Sequence, residues 1–416
     1  MNIGIVTPWF ERGAGNVSVQ YIDLLKSKNN IFVYARGGAH FEKEDNKWSK
    51  ENVTYGLRVP SYSRDQIHPP HFAKWIKSNS IEIIFFNEQI SFDIILWMKT
   101  NMPEIRIGAY IDYYTEDTLP LFALYDFLIC NTRRHFSAIS WHPQAFYIPW
   151  GTSKDVFGFN EAVVGKNGPV FFHSAGLNPH RKGTDILVKA FSGIKKNTAK
   201  IIIHSQSKLN FKDTKLNEYL SNENVQIIEK NVPPPGLYYL GDVYVYPSRL
   251  EGIGLSIAEA LMSGLPAIVT DFPPMNEFIK GLKCGVVVKP NRITARSDGY
   301  YWPQSEIDAD ELAKAMKYYI ENFSRMKEMK SEAREHALKN LDWEKQRDSI
   351  NQIFSNIKSI KLDRNVKEMC KIFLAEKNVS LSLLGKIILT KLPIPVKLKS
   401  LFYSSFIEKK WKKSSL

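Results

Sequence analysis

Two doubly wound α/β domains facing a cleft are the architecture this sequence predicts, and three observations predict it. The chain has 416 residues, more than one hydrophobic core serves. Short apolar runs alternate with helix-length segments from the first residue, which is the pattern of a buried parallel sheet with crossover helices. That rhythm runs twice, with a pause rich in Gly and Asn over residues 158–168 between the two passes. Such a pause reads as a linker.

In the first pass, the runs at 3–6, 31–34, 83–86, 105–110 and 127–130 read as buried strands. The rhythm stops after the Ala145-Phe-Tyr-Ile-Pro-Trp-Gly151 stretch and restarts at 170–173. Further strands are then expected at 200–204, 225–228, 242–246, 267–269 and 285–288, with a helix over 308–322 closing the second unit. The division is therefore residues 1–160 and 161–342, two Rossmann-like domains whose strand C-termini line a shared cleft, where ligands of doubly wound sheets bind. No short-period repeat is present.

Composition excludes several classes. With 24% charged and 44% hydrophobic residues the chain is a folded globular protein and not a disordered one. Its three cysteines, Cys130, Cys284 and Cys370, have neither a disulfide framework nor the paired spacing of a zinc site. The N-terminus enters a strand pattern directly, without the parts of a signal peptide, so a cytoplasmic location is expected. The most apolar stretch, 81–97, is interrupted by Glu82, Asn87, Glu88 and Asp93 and does not read as a membrane span. The formal charge of +13 is unevenly placed. Residues 361–416 hold 13 basic and 4 acidic side chains, against 43 and 39 in all that precedes them. The positive field belongs mostly to a tail.

The segment that carries most chemistry is Pro247-Ser-Arg-Leu-Glu-Gly-Ile-Gly-Leu-Ser-Ile-Ala-Glu-Ala-Leu-Met-Ser-Gly-Leu-Pro266. A strand ends near Tyr246, Gly252 and Gly254 form a loop, and a helix opens close to Ser256. Glycines let backbone approach a ligand, and the unpaired N–H groups of a helix start favour an anion such as a diphosphate. The backbone from Gly254 through Leu255 to Ser256 is thus a candidate anion site. Glu251 and Glu259 flank it, and carboxylates accept hydrogen bonds from paired hydroxyls. The competing account is local: Ser256-Ile-Ala-Glu259 also fits a capping box in which Glu259 bonds back to the helix start.

This segment closely resembles the E-x7-E signature of retaining glycosyltransferases with two Rossmann-like domains, the GT-B fold, in the family-4 (group 1) set. The resemblance implies that Glu251 meets hydroxyls of the transferred sugar and Glu259 the ribose of the nucleotide. Ser174-Ala-Gly-Leu-Asn-Pro-His-Arg-Lys-Gly-Thr-Asp185 looks like the same family's phosphate-binding strand-to-helix segment, with Gly176 as its strand-end glycine and Lys182-Gly183 as its Lys-Gly pair. Where relatives place an arginine after that glycine this chain has Leu177, and Arg181 is the proposed second cation. Fixed cations aimed at a leaving diphosphate lower the barrier to its departure. The stretch 146–151 is similar to the family's interdomain turn. Asp308-Ala-Asp-Glu-Leu-Ala313 and Trp343 match its closing helices, so 343–359 is expected to return to the first domain. The resemblance covers residues 1 to about 358 and implies no obligatory metal or other cofactor, with a UDP- or GDP-linked sugar as substrate.

In the first domain, Gly13 and Gly15 lie between strand and helix, where the family has a glycine-rich loop facing donor phosphate and acceptor. A simple tight turn is the alternative there. Asp112 lies where relatives carry a His-Asp pair, with Ile111 at the histidine position. Two further patterns are declined as metal sites. Asp308-Ala-Asp310 has a D-x-D form but sits at a helix start, where acids are favoured. His68-Pro-Pro-His71 lacks further ligands. The aromatic stretch Asp298-Gly-Tyr-Tyr-Trp-Pro303 reads either as a lid over the sugar or as a packed surface loop.

Residues 360–416 form a basic extension that the family core does not require. Apolar positions beside lysine clusters, with Trp411 among them, make 381–413 an amphipathic segment suited to an anionic membrane surface, with a solvated tail or a helix docked on the first domain as the alternatives. No nucleic-acid reader motif is present in it. The expected activity is retaining transfer of a sugar from a nucleotide donor to a saccharide or lipid-linked acceptor, in cell-surface polysaccharide biosynthesis at the inner face of the membrane. A nucleotide-sugar epimerase of related fold and a noncatalytic membrane-associated scaffold are the other readings.

Overall fold

The computed structural model describes residues 1–10, 13–36, 48, 51–57 and 65–376. The first unit is a parallel sheet of seven strands: β1 (Asn2–Thr7), β2 (Asn30–Ala35), β3 (Val53–Tyr55), β4 (Ile83–Phe86), β5 (Arg106–Tyr110), β6 (Phe127–Cys130) and β7 (Ala145–Tyr147). Their order is β3-β2-β1-β4-β5-β6-β7. The central register sets Ile3 beside Ile31 and Ile83 on one face and Val6 beside Tyr34 and Phe86 on the other, so both faces are apolar, as a doubly covered sheet requires. Helices α1 (Gly13–Leu25), α2 (Pro69–Ser78), α3 (Asp93–Asn101) and α4 (Arg133–Ile139) make the crossovers.

The second unit repeats the plan. Its strands are β8 (Val170–Gly176), β9 (Lys200–Ser205), β10 (Val225–Glu229), β11 (Val243–Tyr246), β12 (Ala267–Thr270) and β13 (Val286–Val288), in the order β10-β9-β8-β11-β12-β13. Helices α5 (Thr184–Ser192), α6 (Thr214–Leu220), α7 (Leu255–Met262), α8 (Ala309–Glu321) and α9 (Met326–Asn340) surround it. In both sheets the chain winds outward from one strand and then crosses to that strand's other side, at β1/β4 and at β8/β11. The crevice at each such reversal is where doubly wound folds bind ligands.

Every strand expected from an apolar run is present. Three features had no such signal. The strands β3 and β7 lie at the sheet edges, half buried and only three residues long, too short for a run to mark them. An antiparallel hairpin, β14 (Pro290–Thr294) with β15 (Gln304–Ile307), projects from the second unit.

That hairpin carries the 298–303 stretch across to the first domain, where its aromatic residues form a loop packed on Tyr114. The Tyr301 amide donates to the Tyr114 carbonyl at 2.9 Å. The Trp302 indole donates to the Tyr114 hydroxyl at 2.6 Å.

The chain then returns. Helix α10 (Arg347–Asn356) lies on α1, with the Trp343 indole donating to the Gln20 carbonyl at 3.0 Å and the Asn351 amide to the Leu24 carbonyl at 3.0 Å. Phe354 packs its edge on Phe85 and Phe127 inside the first core. A further helix over 364–376 joins the same domain through the fully buried Cys370, and Phe373 meets Phe92 edge-on. The beginning of the basic extension is therefore packed structure. The amphipathic stretch 381–413 lies outside the described residues. Among the described residues no helix is long and apolar enough to cross a membrane.

Candidate active site

The second domain's switch point gathers the predicted donor residues. Gly176 ends β8 with φ of +58°, and the chain turns through Asn178 to Lys182 before α5 begins. Gly183 caps α5 in the left-handed region, and a Cβ there would fall 2.1 Å from the Pro247 carbonyl oxygen. Only glycine lets the two loops, one after β8 and one after β11, touch at this point. That contact brings Arg181 and Lys182 against Glu251 from a segment about 70 residues away in sequence.

Glu251 is 5% exposed and fully engaged. Its Oε1 accepts from Lys182 Nζ at 2.8 Å, from the Tyr246 hydroxyl at 2.9 Å and from Ser248 Oγ at 2.5 Å. Its Oε2 accepts from Arg181 at 3.0 Å. Lys182 also donates to the Tyr246 hydroxyl and sits 4.8 Å from that ring's centre. Burial alone would raise the Glu251 carboxyl, but the two cations outweigh it and hold the pKa at about 2. For Lys182 the balance is reversed: burial dominates over the attraction of Glu251 and brings the ammonium down to about 8. Arg181 is raised, chiefly by the Glu251 charge. The cluster therefore presents two cations around one carboxylate at neutral pH.

Helix α7 starts at Leu255 behind Gly254, whose φ of +97° only glycine adopts readily. Ser256 is therefore the second helical residue and not the N-cap. Glu259 does not bond back to the helix start. Its Oε2 accepts from the Tyr238 hydroxyl at 2.6 Å, and burial raises its carboxyl against that bond. The capping-box account does not describe this helix, and Glu259 stands partly exposed on the same side of α7 as the cation cluster.

The first domain closes over this site. Gly13 opens α1, and its Cβ position lies 4.0 Å from Leu255 across the cleft. Gly15 is buried instead, where a Cβ would meet the Phe10 carbonyl at 2.2 Å and Trp48 at 2.8 Å. It serves packing within its own domain. Asp112 follows β5, with its Cβ 3.9 Å from the Cβ position of Gly252, and its carbonyl accepts from the Tyr300 hydroxyl at 3.0 Å.

Residues without a sequence signal complete the junction. The Arg134 guanidinium donates to the carbonyls of Glu251 and Pro273. The Glu277 carboxylate accepts from the Arg133 and Arg134 amides at 2.7 and 3.1 Å, and His135 Nε2 lies 3.1 Å from the Gly252 carbonyl. Tyr246 adjoins the recognised segment and Ser248 lies within it, so both could have been found from it. Tyr238, Arg134 and Glu277 could not, since each acts across a large sequence gap.

The declined metal patterns have local explanations. The Asp308 carboxylate caps α8 by accepting from the Asp310 and Glu311 amides. His68 caps α2, accepting from the His71 amide, and His71 bonds the Tyr34 hydroxyl at 2.9 Å. Among the described residues no group of His, Cys, Asp and Glu is arranged to hold a metal ion.

Two switch-point sheets facing a cleft, with two cations and a glycine-started helix on its second-domain side, define the fold class as GT-B. Residues 159–336 match the family model described as Glycosyl transferases group 1. The second domain matches that family, over less than half of the chain. Solved structures share its whole frame. A glycosyltransferase from Rickettsia africae ESF-5 is 17% identical with a TM-score of 0.65, over 85% of this chain and 99% of that one. Anabaena HepE in complex with UDP and glucose is 16% identical with a TM-score of 0.64, over 85% and 98%. The sucrose-phosphate synthase from Thermosynechococcus elongatus is 15% identical with a TM-score of 0.65, again over 85% and 98%. No curated protein matches the chain in sequence.

Proposed function

We propose that the protein transfers a sugar, with retention at the anomeric carbon, from a nucleoside diphosphate donor to a saccharide or lipid-linked acceptor in cell-surface polysaccharide synthesis. The observation that carries this reading is the Arg181–Lys182 pair held on Glu251 beside the start of α7. UDP is the leading nucleotide, because HepE on the same frame holds UDP, with GDP the alternative.

The donor's diphosphate lies between the cations and the α7 N–H groups. A lysine ammonium has three donors, and Lys182 can give one to phosphate while it keeps Glu251. Because Glu251 fixes both cations before the donor arrives, little reorganisation is needed as charge builds on the leaving group. Glu251 also meets the transferred sugar through Oε2, which here accepts from Arg181, and Glu259 receives the ribose hydroxyls. The acceptor hydroxyl bonds to the anomeric carbon as the bond from that carbon to phosphate oxygen breaks, releasing the nucleoside diphosphate and the hydroxyl's proton. Residues 1–160 supply the acceptor side, 161–342 the donor side, and 343–359 the returning closure.

A thermal-shift panel of UDP-, GDP- and ADP-sugars tests donor binding, since a ligand that binds only the native state raises its stability. One nucleotide series is expected to raise the melting temperature, and to lose that effect in Lys182→Ala. Epimerised sugar formed without acceptor, or an unchanged shift in both Lys182→Ala and Glu251→Ala, overturns the reading.

A further inference from the structure

A crevice of about 790 Å³ lies where the segment after β5 meets the tip of the β14–β15 hairpin. Its size is that of a small-molecule site. It neighbours the proposed catalytic cleft: Asp112 precedes Tyr113 in its wall and lies 3.9 Å from the Cβ position of Gly252, the neighbour of Glu251. We propose that this crevice is the acceptor subsite and that it selects an uncharged or amino-bearing saccharide over a phosphorylated one. The proposal rests on the transferase reading above and specifies its acceptor.

Two properties of the walls identify the ligand class. The first is a fixed aromatic face. Tyr113 is half-buried and stacks on Tyr300 with ring centres 5.1 Å apart and planes 10° apart, so a side chain from each domain holds the ring in place. A fixed ring gives a sugar's C–H face apolar area at little entropic cost.

The second property is charge. Among the described residues, Glu116, Asp117 and Asp298 line the crevice, and no lysine, arginine or histidine does. Asp298 is neutralised by Arg296, which donates to it at 2.8 Å, so Glu116 and Asp117 set the sign. Carboxylates accept from sugar hydroxyls and attract an ammonium, while a phosphate entering here meets like charge. The donor side presents cations at the same time, so the two ends of one cleft sort substrates by opposite charge.

The test uses the full chain saturated with whichever of UDP and GDP raises its melting temperature. Saturation-transfer NMR then follows N-acetylglucosamine, glucosamine and glucose 6-phosphate. The first two are expected to receive saturation and glucose 6-phosphate is not. Tyr113→Ala should weaken N-acetylglucosamine at least tenfold. The exposed double variant Glu116→Gln/Asp117→Asn, which removes no packing, should weaken glucosamine about tenfold and admit glucose 6-phosphate. Binding of none of the sugars, binding unchanged in both variants, or equal binding of glucose 6-phosphate by the unaltered protein overturns the proposal. A normal nucleotide shift alongside such a result fails the crevice alone, whereas the absence of any nucleotide shift fails the transferase reading beneath it.

Discussion

Replacing Glu251 by glutamine keeps the side chain's shape and removes the charge that lies 2.8 Å from Lys182 and 3.0 Å from Arg181. The carboxyl's pKa moves from 4.5 to about 2 on folding. At about 1.36 kcal/mol per pKa unit, that shift contributes about 3 kcal/mol of stability at neutral pH. The figure agrees with the roughly 3–5 kcal/mol lost when one partner of a buried ion pair is removed.

The sign follows from the depressed value. The contribution is fully present above about pH 4.5 and is lost as pH falls through about 2. Urea unfolding of both proteins at neutral pH should therefore differ by about 3 kcal/mol, and at about pH 3.5 by about 2 kcal/mol. Equal stability at neutral pH, or a difference that grows on acidification, would refute the assignment of Glu251 as counterion to the two cations.

Lys182→Ala should lower transfer about 10²-fold, by loss of one group stabilising the leaving diphosphate, as measured by nucleotide release under donor saturation. Because the Lys182 ammonium titrates at about 8, the donor affinity of the unaltered protein should fall as pH rises through that value, while Lys182→Arg should stay flat there in calorimetric titration. Tyr238→Phe removes the hydroxyl that donates to Glu259 at 2.6 Å. It should cost about 1 kcal/mol of stability and raise the KM for donor more than it lowers kcat. Truncation after Glu376 keeps Cys370 and Phe373 in the first core and should leave donor binding intact while abolishing sedimentation with anionic vesicles. Vesicle binding that survives the cut places the anchor elsewhere.

The legibility of the site followed the range of its interactions. Lys182-Gly183 and the stretch from Glu251 to Glu259 each lie on one strand-turn-helix unit, where spacing alone puts a glycine at the turn and a charge beside a helix start. Their burial state was not legible. Nothing in the order of residues told that Glu251 would be closed by four donors, or that burial would bring Lys182 down to about 8. Gly15 shows the limit from the other side: its motif position pointed to the cleft, but its packing under Phe10 and Trp48 turned it inward.

The order of residues alone settled the class of fold, since apolar runs of strand length separated by helices admit few arrangements other than parallel sheets with covered faces. It also settled which loops carry glycine and charge, because backbone conformation and helix-start chemistry are local. The bond from the Arg134 amide to the Glu277 carboxylate across the domain junction and the reach of Tyr300 to Asp112 were decided only when the two sheets faced each other. So was the return of residues 347–376 onto the first domain. Those contacts join segments far apart in the chain, and their energies come from burial and desolvation, which exist only once the surfaces have met.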